Sequence, residues 1–291
     1  MKPALITVLI VLMGLQFSCK PKTTEPSANN QPKKVSDKGV NIAYSDTGKG
    51  DTTLLFVHGW AINRSYWSEQ VKHFSNRYRV VTMDLPGFGE SGKNRNDWTT
   101  RAYGDDVDSV IMQLGLKNVI LVGHSMSGDI VLQAAANMPG NILAIVGVDN
   151  FKSVGAKTTA ADSANYLKAI NEMRQHFKSV AFEWFNKGLF YKTTADSIKK
   201  RILADVAKVD TVIATKAVED SGFDEVKQLK KLNKKLYLIN SDVIPTDTAY
   251  MKAHKIPFMV KYINATGHYP MNEKPDDFNR ALEGIIGDLK K

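Results

Sequence analysis

Short apolar runs alternate with amphipathic stretches over residues 40–150. The runs that predict buried or half-buried strands are residues 40–44, 53–57, 79–83, 119–122 and 142–148. Between them, apolar positions at helical spacing predict helices around Trp67 and Phe74, over residues 99–114, and from Ile130 to Ala135. Strands and helices that alternate in this way predict βαβ units and a mostly parallel sheet.

The alternation stops between residues 151 and 225, where the pattern is helical throughout. Four consecutive helices are predicted, over residues 161–177, 179–189, 194–207 and 209–219. Strand patterns resume at residues 235–239 and 258–263, and a closing helix carries Phe278, Leu282, Ile285 and Ile286. The sequence therefore predicts one α/β core that is interrupted by a helical insertion.

A strand, a sharp turn and a helix follow one another over residues 118–131. Val119 to Val122 lead into Gly-His-Ser-Met-Ser-Gly, and the apolar stripe of a helix begins at Ile130. A serine at the apex, Ser125, would hold its hydroxyl clear of the sheet, with the next backbone N–H at a helix N-terminus. One interpretation is an exposed nucleophile beside an oxyanion donor; the other is a turn of small residues that only allows close packing.

This stretch resembles the nucleophile elbow, Gly-x-Ser-x-Gly, of the α/β-hydrolase family, with Ser127 in place of the second glycine. Further motifs resemble the family in the same order: His58-Gly59-Trp60, the turn from Asp84 to Ser91, an acid after a later strand, and Gly267-His268. The resemblance implies a mostly parallel eight-stranded sheet with helices on both faces. It also implies that residues 151–228 form a helical cap between core parts at 39–150 and 229–291.

The resemblance also implies an oxyanion hole formed by the backbone N–H groups of Trp60 and Met126. It makes His58 structural, although a histidine there is also a candidate general base. It makes the glycine-rich turn after Asp84 structural as well, and the glycine spacing fits no phosphate-binding loop.

A serine hydroxyl needs a base, and the base needs an orienting acid. Of six histidines, only His268 follows the last strand in a Gly-His loop, which resembles the family's catalytic histidine. Asp242 follows the preceding strand, where the family usually places the acid, and we expect it to complete the triad. Asp149, after residues 142–148, is the rival acid, and Asp247 is a third candidate.

The chain has a formal charge of +9 and a pI near 9.3, which raises the question of an anionic partner. Much of the charge is lysine, including Lys227, Lys230, Lys231, Lys234 and Lys235. No nucleic-acid motif or interleaved aromatic residue accompanies that run, so we interpret it as a solvated face and expect no nucleic-acid partner.

The N-terminus has the pattern of an exported lipoprotein. Lys2 precedes an apolar run over residues 4–17 that is too short to span a bilayer, and Ser18-Cys19 ends it. This resembles a bacterial lipoprotein signal of residues 1–18 with Cys19 as the acylated residue. Residues 19–38 are polar and rich in lysine and proline, which predicts a flexible tether. We therefore expect a lipid-anchored protein of the bacterial cell envelope.

These features predict a serine hydrolase, carboxylesterase-like, that forms an acyl-enzyme on small to medium ester-like substrates. Such chemistry needs no cofactor, and no metal-binding motif is present. The alternatives are carbon–carbon or peptide bond hydrolysis by the same triad, or a non-catalytic lipoprotein that binds a ligand or partner. Substrate-binding residues stay unassigned, because the insertion's aromatic residues either line an acyl pocket or pack the cap: Phe177, Phe182, Trp184, Phe185, Phe190 and Tyr191.

Overall fold

Eight strands form one twisted sheet at the centre of the protein. The computed structural model describes residues 33–220 and 222–290. Its strands are β1 (Lys33–Asp37), β2 (Val40–Asp46), β3 (Thr53–Val57), β4 (Arg79–Met83), β5 (Val119–His124), β6 (Ile142–Val148), β7 (Leu236–Ser241) and β8 (Phe258–Ile263). The strand order is β1-β2-β4-β3-β5-β6-β7-β8. The pairs β1–β2 and β2–β4 are antiparallel and the rest are parallel, which confirms the predicted sheet.

Helices cover both faces of this sheet. On one face α2 (Thr100–Gln113) packs against α3 (Ser127–Asn137), and on the other α1 (Ser68–Phe74) packs against the closing helix α8 (Pro275–Asp288). Strands β3, β5 and β7 are buried along their whole length, as expected for strands covered on both faces. The carboxyl ends of β3, β5, β6 and β7 therefore lie side by side at one edge of the sheet, the usual site for ligands in such folds.

The insertion is helical, as predicted, but its first two helices are one. Helix α4 (Ala160–Trp184) starts at a capping box between Thr159 and Asp162 and continues into a π-helical turn, Phe185–Leu189. The break predicted at residue 178 is only a kink, at His176 (φ −133°, ψ 45°). Helices α5 (Asp196–Val206) and α6 (Thr211–Lys216) follow. The next helix, α7 (Glu225–Leu232), packs against α3 of the core.

Strand β1 departs from the sequence prediction. Residues 33–37 belong to the predicted flexible tether, yet they pair antiparallel with β2. Lys38 (φ 46°) and Gly39 (φ 84°) both have positive φ, as in the two-residue turns that join strands of a hairpin. Only Val35 of this strand is buried, so the segment lacks the apolar alternation from which strands are predicted.

The predicted signal peptide, Cys19 and most of the predicted tether lie outside the described residues. Among the residues that the structure does describe, no helix is long and apolar enough to cross a bilayer.

Candidate active site

Ser125 lies at the apex of the predicted strand-turn-helix, between β5 and α3. Its backbone is in the left-handed region (φ 53°), and its N–H donates to the Val148 carbonyl at 2.9 Å. The Asn150 side chain donates to the carbonyls of Gly123 (2.9 Å) and Ser125 (3.1 Å). The turn is thus held from the end of β6, and its tight geometry presents Ser125 rather than burying it.

The departure from the elbow motif has a structural use. Ser127 is fully buried, and its hydroxyl donates to the carbonyl of His58. This bond ties the first turn of α3 to the loop after β3. The helix passes so close to β5 that a Cβ added at Gly123 would lie 2.2 Å from the Ser127 carbonyl oxygen. Glycine is therefore required at the first motif position, whereas the second accepts a serine.

The loop after β3 passes beside Ser125. A carbon added at Gly59 would lie 3.2 Å from the Ser125 Cβ, so this backbone is in contact range of the predicted nucleophile. Within the described residues, neither the Trp60 nor the Met126 backbone N–H donates a hydrogen bond to a protein group. Met126 is also the N-cap of α3. Two backbone N–H groups next to the predicted elbow are therefore not used by the described protein groups.

The Trp60 side chain connects the core to the cap. Its indole N–H donates to the Ala214 carbonyl of α6 at 2.7 Å. Its ring lies 5.7 Å from that of Phe177 and 6.0 Å from that of Phe185, centroid to centroid. Phe177 and Phe185 are themselves buried, so these aromatic residues pack the insertion against the loop after β3.

His58 and Asp84 are structural in their contacts. The buried His58 ring donates from Nδ1 to the Gly59 carbonyl and accepts the Leu85 N–H at Nε2, and burial lowers its pKa. The Asp84 carboxylate accepts the backbone N–H groups of Arg64 and Glu90 and binds the Arg64 guanidinium. Both side chains organise loops and neither is free to act on a substrate.

His268 is paired with Asp149, not with Asp242. The His268 Nδ1 donates to the Asp149 Oδ2 at 2.6 Å, and both side chains are largely buried. Asp242, the acid that we expected, is exposed and accepts the Ala265 N–H at 2.9 Å. Asp247 accepts the Ala249 N–H at the start of a short helix. In the structure His268 thus contacts the rival candidate, Asp149, which leaves β6 with a left-handed backbone (φ 48°), and not Asp242.

Three further groups fix the other oxygen of Asp149. Its Oδ1 accepts the Ser241 N–H and hydroxyl, each at 2.9 Å, and lies 2.7 Å from the Lys152 Nζ. Burial alone would raise the pKa of Asp149. The hydrogen bond from His268 and the charge of Lys152 outweigh burial and lower this pKa below its ordinary value. Asp149 is therefore an anion at neutral pH.

His124, next to Ser125, supports the loop of His268. Its Nε2 donates to the His268 carbonyl at 2.8 Å, and the two rings lie 4.8 Å apart. Complete burial, together with the nearby His268, lowers the pKa of His124 to about 3, so His124 is neutral at pH 7. This role is not evident from the sequence, because no periodicity or spacing distinguishes His124 from a core histidine.

The cap also holds the His268 loop. The His268 N–H donates to the Leu189 carbonyl of the π-helical turn at 2.7 Å. Glu273 accepts the Gly267 N–H at 2.9 Å with one oxygen and the Thr194 hydroxyl at 2.6 Å with the other. The segment between α4 and α5 is thus bonded directly to the loop that carries the predicted base.

A half-buried acid, Asp129, lies behind the elbow. Asp129, in the first turn of α3, is hydrogen-bonded to Glu225 of α7. Burial, followed by the charge of Glu225, raises the pKa of Asp129 to about 8. At neutral pH the two carboxyl groups therefore share a proton, and their bond joins α3 to α7.

Comparison with known proteins agrees with this fold. A family described as the alpha/beta hydrolase fold matches residues 52–189. The uncharacterized hydrolase YugF of Bacillus subtilis is 26% identical over 272 residues, covering 85% of this chain and 95% of that protein. An esterase from Thermogutta terrifontis superposes with a TM-score of 0.76 at 21% identity, covering 90% of this chain and 100% of the esterase. A bromoperoxidase from Bacillus anthracis gives 0.77 at 21% identity, covering 88% and 100% of the two chains.

Proposed function

The chain has the α/β-hydrolase fold, and from this premise we propose that it is a serine hydrolase of the α/β-hydrolase superfamily. Its reaction is carboxylesterase-like: an acyl-enzyme forms on Ser125 from a small to medium ester-like substrate. The observation that carries the proposal is the 2.6 Å hydrogen bond between His268 and a buried, anionic Asp149, in a loop that is bonded to the residue before Ser125.

The roles of the three residues follow from that bond. Because Nδ1 of His268 donates to Asp149, the neutral ring carries its lone pair on Nε2, which is the state a general base needs. His268 removes the proton of Ser125 as the hydroxyl attacks the ester carbonyl, and Asp149 stabilises the imidazolium that forms. His268 then protonates the leaving alcohol and later activates the water that releases the acid. Asp149 replaces Asp242 in this assignment.

The unused N–H groups of Trp60 and Met126 are proposed to receive the oxyanion. Each is adjacent to a group held firmly in place: Trp60 follows Gly59 beside Ser125, and Met126 caps α3. Removing one such donor typically raises the barrier by about 3 kcal/mol, so their placement matters as much as the nucleophile. The helix N-terminus at Met126 adds favourable electrostatics for a negative charge.

The neighbours of the site favour an apolar acyl group. Trp60 follows Gly59, which lies beside Ser125, and the rings of Phe177, Trp184 and Phe185 lie 5.7, 6.3 and 6.0 Å from the Trp60 ring. Side chains of this kind bind hydrocarbon well and bind charged acyl groups poorly. The Thermogutta terrifontis protein that superposes on this chain is an esterase, which agrees with an ester as the bond that is cleaved.

A fluorophosphonate probe, which reacts only with an activated serine, tests the proposal. We expect the wild-type protein to be labelled and Ser125→Ala to be unlabelled, with both folded by circular dichroism. Ser163→Ala, on the exposed surface of α4, is the matched control and should label like the wild type. A folded wild-type protein that neither labels nor hydrolyses p-nitrophenyl esters would refute the proposal and leave a ligand-binding role.

We also propose that the protein is exported and anchored to a membrane through Cys19. The support is the sequence alone: Lys2, the apolar run over residues 4–17, and Ser18 before the cysteine. Two or more acyl chains give stable attachment, whereas one is marginal. Growth of an expressing bacterium with an alkyne-tagged fatty acid should label the wild type, and Cys19→Ser should abolish the label. Label retained in that variant would contradict the anchor.

A further inference from the structure

Lys152 lies three residues after Asp149 and points back to it. Its Nζ is 2.7 Å from the Asp149 Oδ1 and donates to the carbonyls of Ser241 (3.1 Å) and Ile244 (2.9 Å). Only 21% of the side chain is exposed. A lysine that uses its donors on one carboxylate and two carbonyls is fixed in position, unlike the solvated lysines on most of this surface.

The Asp149 carboxylate is divided between two tasks. Its Oδ2 accepts the hydrogen bond from His268 Nδ1, while its Oδ1 accepts the Ser241 N–H and contacts the Lys152 ammonium. Because the two carboxylate oxygens have separate sets of donors, the carboxylate has one favourable orientation, with Oδ2 directed at the imidazole. Lys152 also binds the backbone of the loop after β7, so it joins the ends of β6 and β7 beneath the acid.

The charged and titratable groups around this pair come from several elements. His124 faces His268 from β5, and Tyr269 faces it from the loop after β8, with ring centroids at 4.8 and 5.4 Å. Burial lowers the pKa of His124 and raises that of Tyr269, so both are neutral near pH 7. Asp242 is exposed and bonded to Ala265. Among the described side chains that contact Asp149, Lys152 therefore supplies the permanent positive charge.

On the basis of the proposed function, we propose that Lys152 is a positioning residue that aims Asp149 at His268 and sets the pH range of catalysis. Its ammonium keeps Asp149 anionic and oriented. It also partly cancels the attraction of Asp149 for a protonated His268, because the two cations share one carboxylate. Loss of this cation should therefore change the pH dependence of kcat/KM as well as its size.

The sign of the effect follows from electrostatics. Lys152 and His268 contact opposite oxygens of one carboxylate, and a cation that shares a carboxylate with an imidazole disfavours the protonated form of the imidazole. Removing the charge should therefore move the acidic limb of the kcat/KM profile upward by about one unit. A purely structural role for Lys152 would lower activity or stability equally at every pH.

The test compares Lys152→Met, which keeps the apolar stem, with Lys152→Arg, which keeps the charge. Histidine ring signals are followed by NMR from pH 4 to 9, with His268 assigned from a His268→Gln spectrum. We expect the titration midpoint of His268 to rise by about one unit in Lys152→Met, and the Arg variant to lie near the wild type. The pH profile of kcat/KM on a p-nitrophenyl ester should shift with it.

A folded Lys152→Met protein whose His268 midpoint matches the wild type would overturn the inference, as would an Arg variant that shifts like Met. If Lys152→Met does not fold, Lys152→Gln gives the same comparison with a polar side chain. The NMR readout does not depend on turnover. An inactive wild type whose His268 midpoint still responds to Lys152 would therefore refute the proposed function alone.

Discussion

The most direct test of the site compares the same amide substitution at two aspartates. Asp149→Asn changes the acid that contacts His268, whereas Asp242→Asn changes the acid that the sequence favoured. The two residues follow neighbouring strands, β6 and β7, but Asp149 is buried whereas Asp242 is exposed. Activity is therefore compared together with the stability of each variant, so that loss of the contact with His268 can be told from loss of fold.

The structure indicates how an asparagine at 149 would orient. Lys152 and the Ser241 N–H both require an acceptor at the Oδ1 position, so the amide oxygen would stay there. The amide nitrogen would then face His268 and donate to Nδ1, which forces the proton onto Nε2. A histidine in that tautomer cannot remove the proton of Ser125. The same change in a serine protease triad lowers kcat about 10⁴-fold, equivalent to about 5.5 kcal/mol of barrier.

Initial rates on a p-nitrophenyl ester, with fluorophosphonate labelling rates as a second readout, measure the effect. We expect Asp149→Asn to lose about three to four orders of magnitude in kcat. Asp242→Asn should stay near the wild type, because an asparagine oxygen can still accept the Ala265 N–H. Thermal unfolding of each variant separates loss of catalysis from loss of fold.

Two results would refute this reasoning. Equal losses in both variants would mean that Asp242 reaches His268 during turnover. An Asp149→Asn enzyme within about tenfold of the wild type would mean that His268 needs no acid to orient it, since a wrong tautomer costs far more than that.

Three further substitutions test the surroundings of the site. Ser127→Ala removes the buried hydrogen bond to the His58 carbonyl and should lower the free energy of unfolding by about 1 kcal/mol in a denaturant titration. The fluorophosphonate probe should still label Ser125 in this variant. Loss of that labelling would contradict a structural role for Ser127. Glu273→Ala should lower kcat about tenfold, because small displacements of a catalytic group are costly. Glu273→Gln keeps an acceptor for the Gly267 N–H and should recover most of the wild-type kcat. An equal loss of kcat in both variants would show that the charge of Glu273 matters instead. Asp129→Asn tests the raised pKa of about 8 at Asp129. The folded wild type keeps a proton on Asp129 that the unfolded chain releases near pH 4, so the stabilisation from this proton is fully present below pH 4. It is lost as the pH rises to about 8, by up to about 1.4 kcal/mol of the free energy of unfolding per pH unit. The melting temperature of the Asn variant should therefore gain on the wild type between pH 5 and 8, and a constant difference would argue against the shared proton.

Much of the fold was predictable because its strands are buried on both faces. Such strands appear in the sequence as continuous apolar runs, and residues 53–57 and 142–148 coincide with β3 and β6. The elbow was predictable for a related reason, since the change from a buried strand to a helical stripe leaves few residues for the turn. Strand β1 was not predicted because it buries a single side chain, Val35, and so shows no apolar alternation in the sequence.

The acid was harder to predict because both aspartates follow a strand in the same sheet. Sequence spacing cannot show which carboxylate turns inward, since that depends on one backbone dihedral angle at each position. At Asp149 φ is 48°, a value that cannot be predicted from the residue type. The contact between Lys152 and Asp149 could not be predicted for a different reason, because a lysine three residues from an acid usually lies on a solvated surface.

The cap illustrates a limit of periodicity. The sequence pattern predicts two helices that meet at a polar position, residue 178, but α4 continues through it with a kink at His176. No proline or glycine marks that kink, so tertiary packing rather than local propensity must determine it. The contacts that matter for the site, from Leu189 and Thr194 to the His268 loop, involve backbone and a hydroxyl that carry no sequence signal.

Ser125, Asp149 and Phe151 all have left-handed backbones although none is glycine (φ 53°, 48° and 51°). Each such residue costs roughly 1 kcal/mol or more, so the protein keeps the proposed nucleophile and the proposed acid in place at the expense of its own melting temperature. Ser125→Gly should accordingly melt higher than Ser125→Ala while both are inert. Thermostability screens that ignore turnover would therefore favour substitutions at these positions, and would select against the residues that we propose to make the alcohol reactive.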